Sequence, residues 1–485
     1  MQIKEERTYQ AVIGLEFHVH LATTTKMFCG CRVTYGEEPN THTCPVCLGH
    51  PGALPVINEK AIELGVMAGL ALNCDVAGRA EFARKNYFYP DLPKGYQISQ
   101  FDLPICLGGH LDVLVGDETV RIGITRLHLE EDAAKNVHVG TSGRMHGSVG
   151  SMVDFNRGGT PLMEIVTEPD IPSPEAARAA ANHLKEILRA IGVSEADMEK
   201  GQLRCDANVS ISNPDGSFGV KTELKNMNSF RFVEKGIVAE LARQREILES
   251  GGTVEQTTLH YDPETDEVHE LRSKEFAHDY RYFPEPDLLP LEMSDAWISD
   301  VKKRLPELPD ALRARFVEEY GLSEYDAGVL TADRDLAAFY EKVAAEVDPK
   351  QAANWISVEL QARLNDAGME ISDSRVRPGQ MVELIGLVND ETISRSGARD
   401  VLDRIFTSGE SPSTVVEREG LAATGGDELS GVVDEVIAEN PEEAERVKGG
   451  DQKVIGVLIG QVMKVTRGGA DGGRVRQLIL EKLGS

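Results

Sequence analysis

Within residues 12–21, Glu16, His18 and His20 alternate with Ile13, Leu15, Phe17 and Val19. Alternation of period 2 is the pattern of a strand, so the carboxylate and two imidazoles share one face and the apolar residues the other. Burying that polar face is costly unless a metal ion, a substrate or water receives it. Four cysteines follow, Cys29, Cys31, Cys44 and Cys47, spaced C-x-C-x12-C-x2-C. Two close thiol pairs, joined by a segment long enough to fold back, can close a tetrahedral site in which four thiolates leave no open position. The expected ion is structural Zn2+; four reduced thiols in loops are the plain alternative. Cys74, Cys106 and Cys205 stand alone and read as small core residues.

More carboxylates recur in strand-like runs. Residues 111–129 read as strands ending in Arg126-Leu127-His128-Leu129-Glu130-Glu131-Asp132, three carboxylates close behind a histidine. A solvated acidic turn would explain them too. In 203–211, Arg204, Asp206, Asn208 and Ser210 share a register, as do Lys221, Glu223 and Lys225 in 221–228. Asn213-Pro214-Asp215-Gly216 between them marks a hairpin turn, so Asp206 and Glu223 could point at one ion. Residues 84–97 interleave Tyr87, Phe88, Tyr89 and Tyr96 with Arg84, Lys85 and Lys94. Pro90 and Pro93 exclude a helix or a central strand, which predicts a long structured loop. Such a loop either binds bases and phosphates or is simply pinned by aromatic packing. Tyr280-Arg281-Tyr282-Phe283 repeats the style.

The elements that must position these groups are partly legible. Helices are expected over 58–72, over 173–191 with Ser173 as N-cap and Gly192 as C-cap, and over 230–249. After Pro290 the pattern turns helical to about residue 406, a linker follows at 409–412, and the last unit is again helical. At 485 residues the chain has room for about three domains. Its 80 acidic and 51 basic residues give a net charge of −29, a solvated surface suited to a salt-rich cytoplasm. That balance argues against a polyanionic partner, but screening in salt leaves local basic islands in control. One such island is 461–485, where Lys464, Arg467, Arg474, Arg476 and Lys482 face only Asp471 and Glu481. Seven cysteines in so long a chain are no disulfide framework. The sequence shows neither a signal peptide nor a transmembrane run, so a soluble cytoplasmic protein is expected. Phosphate-loop, dinucleotide and nucleophile-elbow motifs are missing.

Seven blocks carry a resemblance. They are Gly14-Leu15-Glu16-Phe17-His18-Val19, Cys44-Pro45-Val46-Cys47-Leu48-Gly49, Arg84 through Lys94, His128-Leu129-Glu130-Glu131-Asp132-Ala133, Leu203-Arg204-Cys205-Asp206-Ala207-Asn208, Thr222-Glu223-Leu224-Lys225-Asn226, and His278 through Asp287. In this order, over about the first three-fifths of the chain, they resemble the GatB/GatE family, whose GatB members belong to the tRNA-dependent amidotransferases. Val462-Met463-Lys464 resembles the family's C-terminal tail. Phe17 and His20 depart from the usual Val and Gln or Glu. The chain also runs past Pro290 without the inserted domain of GatE, which favours GatB.

The resemblance implies an α+β chain. A cradle domain with a mixed or antiparallel sheet would span 1–294, with a zinc-binding insertion at 29–47. An all-α helical domain would span 295–408, and a YqeY-like, tRNA-contacting tail 409–485. It also implies an ATP- and Mg2+-dependent ligase. The side-chain carboxylate of misacylated Asp-tRNA(Asn), Glu-tRNA(Gln) or both would be phosphorylated, then amidated with ammonia from a glutaminase partner, GatA, with a small GatC joining the pair. Glu16, His18, Glu131, Asp206 and Glu223 match the family's metal-binding positions and would be catalytic, with Glu130 in reserve if the register shifts by one. Lys85 and Lys94 would meet ATP phosphates, and Lys464, Arg467, Arg474 and Arg476 the tRNA. Two rivals stand beside this reading. A zinc-stabilised RNA-binding scaffold would show no ATP hydrolysis dependent on charged tRNA, and a metal hydrolase using the histidines would act without ATP.

Overall fold

The computed structural model describes residues 9–139, 149–213, 215–273, 279–422, 426–449, 453–466 and 469–484. The chain divides into two units, Met1–Leu308 and Pro309–Ser485.

The first unit is built on a thirteen-stranded sheet. In chain order its main path uses β1 (Ala11–His20), β2 (Ala83–Asn86), β3 (Tyr96–Ser99), β4 (Glu118–Glu131), β5 (Pro161–Thr167), β6 (Leu203–Ile211), β7 (Thr222–Lys225), β8 (Thr257–Asp262), β9 (Glu267–Ser273) and β10 (Phe283–Pro284). Across the sheet they run β9-β8-β7-β6-β1-β5-β4-β3-β2-β10. All these pairings are antiparallel except β7 with β8. The first motif of the chain thus lies inside the sheet, between β5 and β6, and the expected mixed-sheet α+β architecture is borne out.

The period-2 alternation resolves into two faces. Ile13, Leu15, Phe17 and Val19 are buried with Leu127, Leu129, Met163, Ile165, Leu203, Cys205 and Ala207 in one apolar core. Against it pack helices α1 (Glu59–Ala71), α2 (Pro174–Ala190) and α3 (Phe230–Glu249), close to their expected spans. Ser173 Oγ accepts from the Ala176 N–H at 3.1 Å, capping α2, and Gly192 follows it with φ +68. Ala176, Ala177, Ala180 and Ala181 supply a flat face where α2 meets the core. The other face of the sheet carries Glu16, His18, His20 and their neighbours.

Two local expectations change. Prolines confine the 84–97 loop only at its tip; its ends pair as β2 and β3, Arg84 opposite Ile98 and Lys85 opposite Gln97. The break expected after residue 294 falls later, because helix α4 (Asp295–Arg304) buries Val301 in the first core and joins Arg304 to Glu63 of α1 at 2.9 Å.

The described part of the second unit is helical and holds two apolar cores. One gathers residues between 316 and 416, the other residues between 429 and 479. The expected linker at 409–412 runs straight into the helix Pro412–Glu419, whose Val415 and Val416 belong to the earlier of these cores. Among the described residues, no helix is long and apolar enough to cross a membrane.

Candidate active site and metal centre

Strand register decides which polar residues meet. Arg204, His18, Glu164 and His128 are successive partners across β6, β1, β5 and β4, and Asp206 pairs with Glu16 in the adjoining row. Side chains of one cross-strand row stand about 5 Å apart, within reach of a shared ligand. Glu164 Oε2 lies 3.4 Å from His18 Nε2 and 3.3 Å from His128 Nε2, and His128 Nε2 lies 4.0 Å from Glu130 Oε2. Donor atoms of His18, Glu130 and Glu164 all fall within 4.8 Å of one another. An imidazole and two carboxylates this close suit a divalent cation.

The electrostatics follow from crowding. Burial works against ionisation of Glu164, yet hydrogen bonds from His128 and His18 and their charge hold its carboxyl far below the usual range. Burial likewise opposes protonation of His18, but the bond to Glu164 and the charges of Glu130 and Glu164 prevail and raise its pKa. The two imidazoles thus stand where a cation would bring positive charge.

The other expected ligands flank this cluster. Asn208 Nδ2 donates to Glu16 Oε1 at 2.7 Å. Lys225 Nζ lies 2.9 Å from both Asp206 and Glu223, so the hairpin brings the two carboxylates together around an ammonium. Burial disfavours that ammonium, but Asp206 and Glu223 raise its pKa well beyond the usual lysine range. Asn226, directly after it, adopts the left-handed φ of +62 that turns the chain out of β7. A cavity of about 310 Å3 opens here, lined by His18, Arg204, Asp206, Lys225, Asn226 and Asn228 among others. Pro214 in the hairpin turn lies outside the described residues.

Glu131 stands apart from these groups. Consecutive strand residues face opposite ways, so Glu130 joins the His18 cluster while Glu131 turns to the other side of β4. There Glu131 forms an ion pair with Lys94 and accepts from the Ile98 N–H at 3.0 Å. The reserve residue of the pair is the one that meets His18, and Lys94, expected to meet phosphate, is neutralised. Lys85 lies over the Tyr280 ring at 4.9 Å. His20 Nε2 donates to Asp132 Oδ2 at 2.7 Å. Asp132 also receives Arg204 at 3.1 Å and Arg157 at 3.4 Å, and is itself buried. Sequence reasoning passed over Glu164 and His128; their signal was strand alternation, legible only once each strand had its neighbours.

The four cysteines converge as well, with donor sulfurs within 4.8 Å of one another and Cys44 and Cys47 Sγ 3.9 Å apart. A tetrahedral ion with Zn–S of about 2.3 Å would hold its sulfurs about 3.8 Å apart, so the donor set fits zinc. The hydrogen bond shared by Cys29 and Cys47 leaves its proton on Cys29, raising that thiol and lowering Cys47. Lys26, fully buried, places Nζ 3.7 Å from Cys47 Sγ and donates to the Phe155 carbonyl at 3.0 Å. A buried ammonium here offsets the excess negative charge of a four-thiolate site. Among the tail residues, Lys464, Arg474 and Arg476 are exposed on the helices Ile455–Val465 and Gly472–Leu483, while Arg467 lies outside the described residues.

Comparison with known proteins gives the same direction. Residues 11–299 match the family model of the GatB/GatE catalytic domain, and residues 338–483 match that of a GatB domain. The B subunit of the aspartyl/glutamyl-tRNA(Asn/Gln) amidotransferase of Persephonella marina is 51% identical over 480 residues, covering 98% of this chain and 99% of its own. The protein of the same name from Geobacter sulfurreducens is 51% identical over 481 residues with the same coverage. The one from Thermodesulfovibrio yellowstonii is 50% identical over 479.

Two expectations follow. Replacing Cys44 with Ser should lower the zinc content from about one ion per chain and reduce the melting temperature, because metal binding to such a site is folding free energy. Elemental analysis beside calorimetry checks this, and a zinc-free wild type would end the idea. For Asp132, burial opposes ionisation, but Arg204, the His20 hydrogen bond and Arg157 hold the carboxyl well below its usual range. Its stabilisation is therefore complete above the unfolded value of about 3.9 and fades as pH falls toward the folded one. Asp132→Asn should cost about 3 kcal/mol near neutrality, and urea melts should show the gap to wild type narrowing in acid.

Proposed function

The chain belongs to the GatB/GatE family, and from that premise we propose that it is the amidating component of a tRNA-dependent amidotransferase, activating the side-chain carboxylate of a misacylated Asp-tRNA(Asn) or Glu-tRNA(Gln). The carboxylate oxygen attacks the γ-phosphorus of ATP, releasing ADP and leaving an acyl phosphate. Ammonia then displaces phosphate, which departs with one ammonia proton, and the amide remains. As a GatB-type chain it works within a multi-subunit assembly; a glutaminase of the GatA type supplies ammonia, and a small GatC-type protein joins the two.

The observation that carries this reading is the His18–Glu130–Glu164 cluster, assembled from three strands and bordered by Glu16, Asp206 and Glu223. Those residues would hold Mg2+, with Glu130 and Glu164 as ligands in preference to Glu131. A bound divalent cation supplies the charge neutralisation that lets one anion approach another. The chain's own groups do the rest. Asn208 orients Glu16, Lys225 bridges Asp206 and Glu223, and Asp132 fixes Arg204 beside His18. No covalent nucleophile is required, so catalysis is positional and electrostatic. The sheet unit serves as the cradle, the four-cysteine site holds structural Zn2+, and the last helices contact the tRNA. Lys85 is retained as a phosphate contact, since a ring rather than a carboxylate faces it. A cytoplasmic location accords with this role.

Two measurements test the assignment. In the assembled complex, Glu164→Gln should abolish ATP cleavage dependent on charged tRNA and amide formation, leaving glutamine hydrolysis without tRNA intact. A variant that amidates at the wild-type rate would remove Glu164 from the site. Replacing Lys464, Arg474 and Arg476 together with Ala should raise the KM for tRNA and flatten its salt dependence, as expected for lost phosphate contacts. Unchanged tRNA kinetics would make the basic island incidental.

A further inference from the structure

Arg126 stands on the same face of β4 as His128 and Glu130, being two and four residues before them. It pairs with Val166, which pairs with Glu16, which pairs with Asp206. One row across four strands thus runs Arg126, Val166, Glu16, Asp206, directly beside the row that contains His128, Glu164 and His18.

The other cations around this face have partners. Arg204 and Arg157 meet Asp132, Lys225 meets Asp206 and Glu223, and Lys85 lies over the Tyr280 ring. Arg126 differs. Among the described residues its side chain has no ion pair, hydrogen bond or ring contact, although the residue is half-buried. Its charge acts on the Tyr282 hydroxyl, which the charges of Glu130 and Glu164 also reach. Tyr282 in turn stacks on Phe101, centroids 4.1 Å apart and planes 7° from parallel. Arg126 therefore stands one row from the candidate ion cluster, on its Tyr282 side.

A guanidinium without a native anion can meet an arriving one without first breaking an ion pair. The planar fork of arginine fits the oxygens of a phosphoryl group in two parallel hydrogen bonds. We propose that Arg126 is a further catalytic residue, donating its N–H groups to the phosphoryl oxygens during transfer from ATP to the substrate carboxylate. The bond from the carboxylate oxygen to phosphorus forms as the bond to the bridging oxygen of ADP breaks. The electron pair leaves with ADP and Arg126 keeps its protons throughout. Its contribution is to spread positive charge onto oxygens that the surrounding carboxylates would repel. This assignment rests on the function proposed above.

The test uses the assembled complex with charged tRNA, ATP and Mg2+. Arg126→Gln should lower the rate constant for tRNA-dependent ATP cleavage by at least about 100-fold, the scale of losing one preorganised donor to a developing charge. Its melting temperature should stay at or above that of wild type, since no native contact is lost. Arg126→Lys, which keeps the charge but loses the fork, should fall between the two. Millimolar guanidinium should restore part of the rate to Arg126→Ala and leave wild type unaffected, a response that a structural role would not give. An Arg126→Gln complex within about twofold of wild type, or a folded Arg126→Ala complex deaf to guanidinium, would overturn the proposal while the functional reading stands. A wild-type complex that cleaves no ATP with charged tRNA would remove both.

Discussion

Crowded negative charge is the constraint on which the sheet unit depends. Glu16, Glu130, Glu164, Asp206 and Glu223 project from five strands onto one partly buried face, where their mutual repulsion is stronger than in bulk water. Without counter-charge some of them would hold protons instead of ionising. The chain places imidazoles at both sides of Glu164, an ammonium between Asp206 and Glu223, and an amide on Glu16. Glu130 receives less: the Ser99 hydroxyl at 3.3 Å and His128 at 4.0 Å. Compensation is thus weakest at Glu130, on the β4 side of the row, one of the three donors that could share a cation.

The same arithmetic of charge extends to the neighbouring elements. Asp132 holds two guanidiniums and an imidazole, so the ends of β1, β4 and β6 are tied at one buried carboxylate. Lys26 balances thiolate charge from beneath the cysteine site. In each place one buried ion is surrounded by opposite charge and hydrogen-bond donors, the condition under which buried ions are tolerated. These ties anchor the sheet face that the proposed chemistry uses, while the apolar half of each strand fixes register by burying its side chains in a single core.

A net charge of −29 sits oddly with a proposed nucleic-acid substrate until its distribution is considered. Most of the acidic excess is spread over the chain, whereas the tail helices expose Lys464, Arg474 and Arg476. Lys482, from the same basic island, is already engaged by Asp434 at 2.6 Å. Long-range repulsion is screened within about 10 Å at ordinary salt, so the local arrangement governs the encounter with RNA.

Periodicity and spacing in the sequence sufficed for what is local. The face carrying Glu16, His18 and His20, the helices expected over 58–72, 173–191 and 230–249, and the grouping of the four cysteines follow from residue types a few positions apart. Each depends on backbone geometry that repeats within a turn or a pleat. What remained undetermined was the partner across each strand. Register alone separates Glu130 from Glu131, sending one to His18 and the other to Lys94, and it brings Glu164 and His128 into a cluster that no local pattern announces. It also sets Lys225 between two carboxylates, and buries α4 and the helix after residue 411 in cores that composition had assigned elsewhere. A shift of one residue would reverse every side chain on a strand while leaving its local pattern intact. Only the packing of the whole sheet, through the apolar surface it buries, selects among those registers, and the site therefore becomes definite in the tertiary structure.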